Sequence, residues 1–157
     1  MNRVGLGFDV HAFEAGRPLI LGGVTIPDAD GLAGHSDADV VTHAIADALL
    51  GAAGLGDLGE RFPATAEWKE ASSIALLREC NTAVGVAGWT VVNVDATVIA
   101  QAPKLSPYRR QMVMSLADAL AVSSDVVSVK ATTTDRLGAI GKGEGVAALA
   151  VVLIARP

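Results

Sequence analysis

The three histidines of this 157-residue chain all lie within its first 43 residues, close to aspartates. His11 follows Asp9 by two positions, and His35 and His43 flank a short run that contains further aspartates. Histidine is the most common metal ligand and the side chain that titrates closest to neutral pH. We therefore predict one chemical centre, supplied mostly by the N-terminal third of the chain.

Asp9, His11 and His43 form a candidate metal site. Asp9 and His11 end a predicted strand, in which residues i and i+2 point to the same side. A carboxylate and two imidazoles that leave one position open are the ligand set of a catalytic zinc. His43 shares a helix face with Asp39 and Asp47, so we expect one of these two to hydrogen-bond its second ring nitrogen. An Asp-x-His pair at an ordinary exposed strand end is the alternative interpretation.

His35 and Ser36 stand at the predicted start of a helix, where unpaired N–H groups and the helix dipole favour an anion. A simple N-cap explains the same residues. Three other patches carry polar groups that could bind a ligand, although a turn, an edge strand and a solvated lysine explain them equally well. They are Gly56–Gly59, Ala131–Asp135 and the segment around Lys104.

The elements that must position these residues alternate between strands and helices. We predict strands over 4–8, 18–26, 89–99, 126–132 and 146–154, and helices over 36–50 (with Ser36 as N-cap), 72–82 and 106–120. The segment 56–66 has no periodicity, and we predict a loop there. The last strand is apolar on both faces, so both faces should be covered. The predicted fold is α/β, an α+β sandwich formed by a single domain over 1–157, with a mixed β-sheet, helices on one face and a subunit partner on the other.

Composition excludes several classes of function. The chain is 51% hydrophobic and 18% charged, which is typical of a folded domain. A net charge of -5 without a basic run argues against nucleic acid as a partner. The longest apolar run, Val146–Ala155, is too short to cross a bilayer, and the first residues lack the apolar stretch of a leader. With Cys80 as the single cysteine, we expect a cytoplasmic protein without a membrane partner.

Seven phrases in this order resemble the 2-C-methyl-D-erythritol 2,4-cyclodiphosphate synthase family, and they cover almost the whole chain. They are Gly-Phe-Asp-Val-His at 7–11, Gly-His-Ser-Asp at 34–37, His-Ala-Ile-Ala-Asp-Ala-Leu-Leu-Gly at 43–51, Gly-Leu-Gly-Asp-Leu-Gly at 54–59, Ala-Gln-Ala-Pro-Lys at 100–104, Val-Lys-Ala-Thr-Thr-Thr at 129–134 and Gly-Lys-Gly-Glu-Gly at 141–145.

The resemblance implies a homotrimer that packs its sheets around a three-fold axis, with active sites between subunits. It implies that Asp9, His11 and His43 hold one Zn2+ per chain, and that Asp135 holds Mg2+ or Mn2+ together with the substrate diphosphate. The implied substrate is 4-diphosphocytidyl-2-C-methyl-D-erythritol 2-phosphate. Its 2-phosphate attacks the β-phosphorus of its own diphosphate and releases CMP, with His35 and Thr133 as the catalytic residues.

The family pattern also implies a set of substrate-binding residues. The phosphate and erythritol part would lie on Asp9, His11, His35, Ser36, Asp57, Leu58, Gly59, Phe62, Pro63, Ala64, Thr65 and Ala66; the cytidine part would lie on Ala100, Gln101, Ala102, Pro103, Lys104, Leu105, Ser106, Thr132, Thr133, Thr134, Asp135, Ala139 and Lys142. Relatives often have Glu in place of Asp135, carboxylates in place of Ala64 and Ala66, and Phe and Arg in place of Ala139 and Lys142.

Two other functions are compatible with these residues. One is a zinc-dependent phosphohydrolase, in which a metal-bound water is the nucleophile. The other is a non-catalytic nucleotide-binding trimer, which the altered 62–66 loop suggests. The products formed, or their absence, distinguish these two functions from the synthesis of the cyclodiphosphate.

Overall fold

A computed structural model describes residues 1–156 as five strands and a set of helices, and Pro157, the last residue of the expected domain, lies outside the described residues. The strands are β1 (Asn2–Leu21), β2 (Val24–Leu32), β3 (Thr90–Ile99), β4 (Val127–Thr132) and β5 (Gly145–Ala155). The helices are α1 (Val40–Ala53), α2 (Leu58–Arg61), α3 (Ser73–Val86), α4 (Arg109–Leu120) and α5 (Gly138–Gly141), with 3₁₀ turns at Ala66–Trp68, Ser106–Tyr108 and Ser124–Val126.

The five strands form one mixed sheet in the order β2-β1-β5-β3-β4. β3 and β4 are parallel, and the other neighbouring pairs are antiparallel. The long helices cover one face of this sheet, and the hydrophobic core lies between the two layers. This architecture confirms the predicted α/β domain with a mixed sheet and helices on one face. None of the described helices is long and apolar enough to cross a membrane.

Two glycines of β1 allow α1 to lie directly on the strand. A Cβ at Gly5 would stand 1.8 Å from the carbonyl oxygen of Ala48, and one at Gly7 would stand 1.9 Å from that of Ala44. Any side chain at either glycine would therefore push the helix away from the strand. This close approach brings His43, the residue before Ala44, beside Asp9, which lies within the same strand.

The second face of the sheet carries apolar side chains without cover from the same chain. On β1, Val4, Leu6, Phe8 and Val10 are exposed, and Leu6 retains 68% of its accessible surface. Val151 and Leu149 of β5 lie directly across from Leu6 and Phe8, and both are also exposed. A contiguous apolar patch of this kind is typical of an interaction surface. The structure thus confirms that the last strand, β5, is apolar on both faces.

Three local predictions are wrong. The strand predicted over 18–26 is two strands, because the chain reverses at Gly22 and Gly23, both in the left-handed region. Helix α1 begins at Val40 with Asp39 as its N-cap, so Ser36 is not the cap. The buried Asp39 carboxylate accepts N–H groups from Gly22 at 2.8 Å, Gly23 at 2.7 Å and Thr42 at 3.1 Å, which ties the hairpin to the helix. The loop predicted over 56–66 contains the short helix α2.

Candidate metal centre

Asp9, His11 and His43 converge as the sequence predicts. Oδ2 of Asp9 lies 3.1 Å from Nε2 of His11 and 3.0 Å from Nδ1 of His43. The two imidazole rings meet edge to face, with centroids 5.8 Å apart. One ligand atom from each residue lies within 4.8 Å of the others, so the three side chains can hold a metal ion together.

The second nitrogen of His11 is fixed by the backbone. Nδ1 of His11 lies 2.5 Å from the carbonyl oxygen of Ala33. A carbonyl can only accept a hydrogen bond, so Nδ1 carries a proton, and Nε2, which faces Asp9, is the nitrogen that can bind a metal. A backbone carbonyl on the outer nitrogen is a common way of orienting a histidine that ligates a metal.

The outer nitrogen of His43 meets two serine hydroxyls instead of the predicted aspartates. Nε2 of His43 lies 2.8 Å from Oγ of Ser73 and 3.2 Å from Oγ of Ser36. Asp39 is occupied as the N-cap of α1, and Asp47 accepts the N–H of Leu58 at 2.7 Å. The prediction that Asp39 or Asp47 supports His43 is therefore wrong, because the loop before α1 and the start of α3 lie closer to the ring.

The charges at this site favour a cation between the three side chains. Burial alone would raise the pKa of Asp9, but hydrogen bonds from His11 and His43 outweigh it and hold that pKa well below its usual range. The same contact with Asp9 raises the pKa of His11. Two imidazole nitrogens and one carboxylate oxygen that face one another fit a divalent cation, which would replace the protons they share without metal.

A cavity of about 170 Å³ adjoins this centre. His35, Ser36, Leu58, Gly59, Phe62 and Ala64 line it together with His11 and His43, so the structure brings these predicted residues together. Nε2 of His35 donates to the carbonyl oxygen of Thr65 at 2.5 Å. Because Asp39 caps α1, the open helix N-terminus expected at His35 and Ser36 is absent, and that reason for anion binding is wrong.

The other predicted residues of this region lie on the adjoining loop. Asp57 caps α2 through the N–H of Glu60 at 2.8 Å, and its side chain is exposed. The contact between Asp47 and the N–H of Leu58 ties the start of α2 to α1, one turn beyond His43. Pro63, Thr65 and Ala66 are exposed beside the cavity.

Arg17 fixes the loop that carries His35 and Ser36, a role that the sequence analysis did not predict. Its guanidinium donates to the carbonyl oxygen of Gly34 at 2.6 Å and to that of Ser36 at 2.5 Å. These charge-assisted contacts hold the backbone on both sides of His35. Arg17 lies on the distal part of β1, so only the folded hairpin brings it to the loop.

Replacing Arg17 with alanine should loosen this loop without unfolding the domain. We expect amide exchange at 34–37 to accelerate by about tenfold, because two hydrogen bonds from a charged donor are lost. Hydrogen–deuterium exchange measured by mass spectrometry tests this. Arg78→Ala is the matched control, since it removes an exposed ion pair with Asp118 on other helices. Equal exchange at 34–37 in both variants would contradict the assigned role of Arg17.

A second cavity, of about 330 Å³, lies at the ends of β3 and β4 and shares no lining residue with the first. Its lining includes the predicted residues Ala100, Gln101, Ala102, Pro103, Lys104, Leu105, Ser106, Thr132 and Thr133. Oε1 of Gln101 accepts the N–H of Arg136 at 3.0 Å and so links the two loops. The structure thus gathers nine of the thirteen predicted cytidine residues in the wall of one pocket.

Four residues of the predicted cytidine set line neither cavity. The hydroxyl of Thr134 donates to the carbonyl oxygen of Leu137 at 2.7 Å. Asp135 is exposed and accepts from the Thr133 hydroxyl at 3.3 Å. Ala139 lies on α5, and Lys142 caps its C-terminus. The described chain therefore places these four beside the second cavity or beyond it, not in its wall.

Trp68 and Leu76 also line the first cavity, and they were not predicted from the sequence, nor were Ser73, Asp37 and Arg17. Among these residues only Asp37 had an indication in the sequence, because it belongs to the Gly-His-Ser-Asp phrase. Ser73 is 30 positions from His43, so no local spacing indicates their contact.

Comparisons with known proteins agree with this arrangement. A family model described as the YgbB family matches residues 2–155. The 2-C-methyl-D-erythritol 2,4-cyclodiphosphate synthase of Bordetella avium is 57% identical over 155 residues, which cover 98% of this chain and 96% of that protein. The protein of the same name from Salinibacter ruber is 58% identical over 153 residues, which cover 97% of this chain and 98% of that protein.

A solved structure described as IspF from Plasmodium falciparum in complex with CDP has the same fold. It superposes with a TM-score of 0.88 at 32% identity, and the match covers 99% of this chain and 96% of that one. Similarity in sequence and structure thus extends over nearly the full length of each protein. The chain belongs to the YgbB family, the family of the 2-C-methyl-D-erythritol 2,4-cyclodiphosphate synthases.

Proposed function

We propose that this chain converts 4-diphosphocytidyl-2-C-methyl-D-erythritol 2-phosphate to 2-C-methyl-D-erythritol 2,4-cyclodiphosphate and CMP, in the non-mevalonate route to isoprenoid precursors. The observation that carries the proposal is the Asp9, His11 and His43 cluster beside a polar-edged cavity, in a chain that matches this family over its full length. A cytoplasmic location, expected from the sequence, suits such a biosynthetic enzyme.

In the proposed reaction both partners belong to one substrate molecule. An oxygen of the 2-phosphate forms a bond to the β-phosphorus, and the bond from that phosphorus to the bridging oxygen breaks. CMP leaves with the bridging oxygen, so no water is consumed and no protein side chain is needed as a nucleophile. The chain must therefore fold the substrate and reduce the repulsion between its phosphates.

Zinc is the metal that we propose for Asp9, His11 and His43. Two imidazole nitrogens and one carboxylate oxygen, with a fourth coordination position left for substrate, fit a catalytic zinc. When bound, zinc would supply a positive charge that polarises a phosphate oxygen. The chain itself holds the three donors in place through Ala33 on His11 and through the serine hydroxyls on His43.

Asp135 is the proposed magnesium ligand. It is one exposed carboxylate, and magnesium is commonly held by one or two carboxylates together with substrate phosphates. The site would therefore be complete only with the diphosphate present. The backbone of Asp135 is left-handed, with φ of 52°, and it turns the chain directly after the threonines of the second cavity.

The positions of the side chains support the remaining proposed roles. His35 and Ser36 line the cavity beside the metal cluster, where they would donate to substrate phosphate. Thr133 would stabilise the charge that develops on the diphosphate, and Lys104 would lie near it. The loop Ala100–Ser106 would bind cytosine, and the segment 57–66 would bind the erythritol part.

A homotrimer joins the two cavities in our proposal. Catalysis needs the metal cluster and the cytidine pocket on one substrate, yet the two cavities of one chain have separate linings. The exposed apolar face of β1 and β5 offers a surface through which copies can pack around a three-fold axis. Each active site would then take its metal half from one subunit and its cytidine half from the neighbour.

Mixing two inactive variants tests this arrangement. In a mixture of His43→Ala and Thr133→Ala, each mixed trimer would have two intact halves at one of its three sites, so the doubly tagged species should show about a third of the wild-type rate. The variants carry different tags, are dissociated and reassembled together, and the doubly tagged species is assayed. If each active site lay within one chain, the mixture would be no more active than its parts.

Product analysis tests the activity itself. The purified chain, zinc and magnesium are incubated with the diphosphocytidyl substrate in water enriched in oxygen-18, and products are followed by phosphorus NMR and mass spectrometry. We expect equal amounts of CMP and cyclic diphosphate without label. Label in the products would instead show a phosphohydrolase. CDP binding without any product would show a non-catalytic nucleotide-binding protein.

A further inference from the structure

A partly buried chain of hydrogen bonds leads from Asp37 through Ser73 to His43, a histidine of the candidate metal centre. Nε2 of His43 lies 2.8 Å from Oγ of Ser73, and this hydroxyl in turn hydrogen-bonds Oδ1 of Asp37. Ser73 has no accessible surface, and it opens α3, whereas His43 belongs to α1. The three side chains thus join two helices and the loop before α1.

The chemistry of the three groups fixes the direction of these bonds. An ionised carboxylate only accepts, so the Ser73 hydroxyl donates its single proton to Asp37. Ser73 is then left as an acceptor towards His43, and the proton on the imidazole must lie on Nε2. Nδ1 faces Oδ2 of Asp9 at 3.0 Å, and once a cation replaces the proton shared there, Nδ1 offers its lone pair to the metal.

We infer that Asp37 and Ser73 are positioning residues that select the Nε2–H tautomer of His43, so that this histidine binds its metal through Nδ1. The inference rests on the proposed metal site and adds to it the groups that prepare one ligand. In the opposite tautomer the Nδ1 proton would point at Asp9 and occupy the place of the cation.

The backbone holds Asp37 in position for this role. Its Oδ2 accepts the N–H of Ser73 at 2.9 Å, and its Oδ1 also accepts the N–H of Asp39 at 3.2 Å. The carboxylate is therefore fixed by the start of α3 and by the entry to α1 before any metal binds. Ser36, the other hydroxyl near Nε2, lies farther away at 3.2 Å and accepts the N–H of Ala38.

Ser73→Ala tests the inference through zinc affinity, measured by competition with a chelator. We expect the affinity to fall by about 10- to 100-fold, as is usual when a group that supports a metal ligand is removed. Ser73→Thr retains the hydroxyl and should restore most of that affinity. Ser72→Ala is the matched control, because Ser72 caps the same helix through the N–H of Ala75 and does not belong to the chain of bonds.

The outcomes separate the inference from the function on which it rests. Wild-type protein that binds no zinc would contradict the proposed metal site. If Ser73→Ala and wild type bind zinc with equal affinity, the inference is overturned and the metal site stands. If Ser72→Ala loses as much zinc affinity as Ser73→Ala, the inference is also overturned, because the loss would then come from a less stable helix.

A second measurement covers the case in which Ser73→Ala does not fold. Nitrogen-15 NMR of histidine-labelled, zinc-loaded wild-type protein should show a proton on Nε2 of His43 and none on Nδ1. A proton on Nδ1 would overturn the inference without any variant. Asp37→Asn, which cannot accept from both groups of Ser73, should lower zinc affinity in the same direction.

Discussion

His43→Ala should remove the bound zinc and lower turnover of the diphosphocytidyl substrate by about a thousandfold. The loss of one donor leaves Asp9 and His11, and two donors hold a catalytic zinc poorly. Several kcal/mol of transition-state stabilisation are then lost, which corresponds to a rate effect of this order. Metal analysis of the purified variant and steady-state kinetics measure the two effects.

His35→Ala is the matched control for that variant. His35 lines the same cavity but lies outside the metal cluster, so His35→Ala should retain about one zinc per chain while its turnover falls. Thermal unfolding of both metal-free variants checks that the domain is intact. A His43→Ala protein that keeps its zinc and its rate would contradict the assigned ligand set.

Thr133→Ala should lower the turnover number by about a hundredfold and change CDP affinity by less than about threefold. Thr133 lines the second cavity at the end of β4, the proposed cytidine site, and its hydroxyl donates to Asp135 at 3.3 Å. A group that meets the diphosphate mainly as charge develops affects the rate more than it affects ground-state binding. Rapid-mix kinetics and calorimetry with CDP separate the two quantities.

Thr133→Ser serves as the control, because it keeps the hydroxyl and removes a methyl group. It should recover most of the rate lost in Thr133→Ala. Equal losses in CDP affinity and in turnover number would mean that Thr133 binds the nucleotide without a special role in the transition state. That result would not bear on the assignment of the metal ligands, because Thr133 and His43 line separate cavities.

Local patterns were sufficient to predict the main elements and the metal triad. The alternating residues of β1 place Asp9 and His11 on one side, and helical spacing places His43 on α1. Gly5 and Gly7 let that helix approach the strand closely enough for the three to meet. Each of these features involves neighbours in sequence or one packed pair of elements, and such features leave a periodic signal.

The supporting contacts could not be predicted in this way. Ser73 reaches His43 only because α3 packs beside α1, and Arg17 reaches the 34–36 loop only because β1 folds back at Gly22 and Gly23. Helical spacing alone favoured Asp39 and Asp47 as partners of His43. The backbone N–H groups of the hairpin and of Leu58 occupy those carboxylates instead, since buried N–H groups need acceptors.

A crystal structure of the protein with zinc and CDP, with data collected at the zinc absorption edge, tests the central claim most directly. We expect an anomalous peak within about 2.0–2.2 Å of Asp9 oxygen, Nε2 of His11 and Nδ1 of His43. The cytosine of the CDP that approaches this zinc should lie on the Ala100–Ser106 loop of the neighbouring subunit. Zinc elsewhere, or zinc and cytosine held by one and the same chain, would contradict the account.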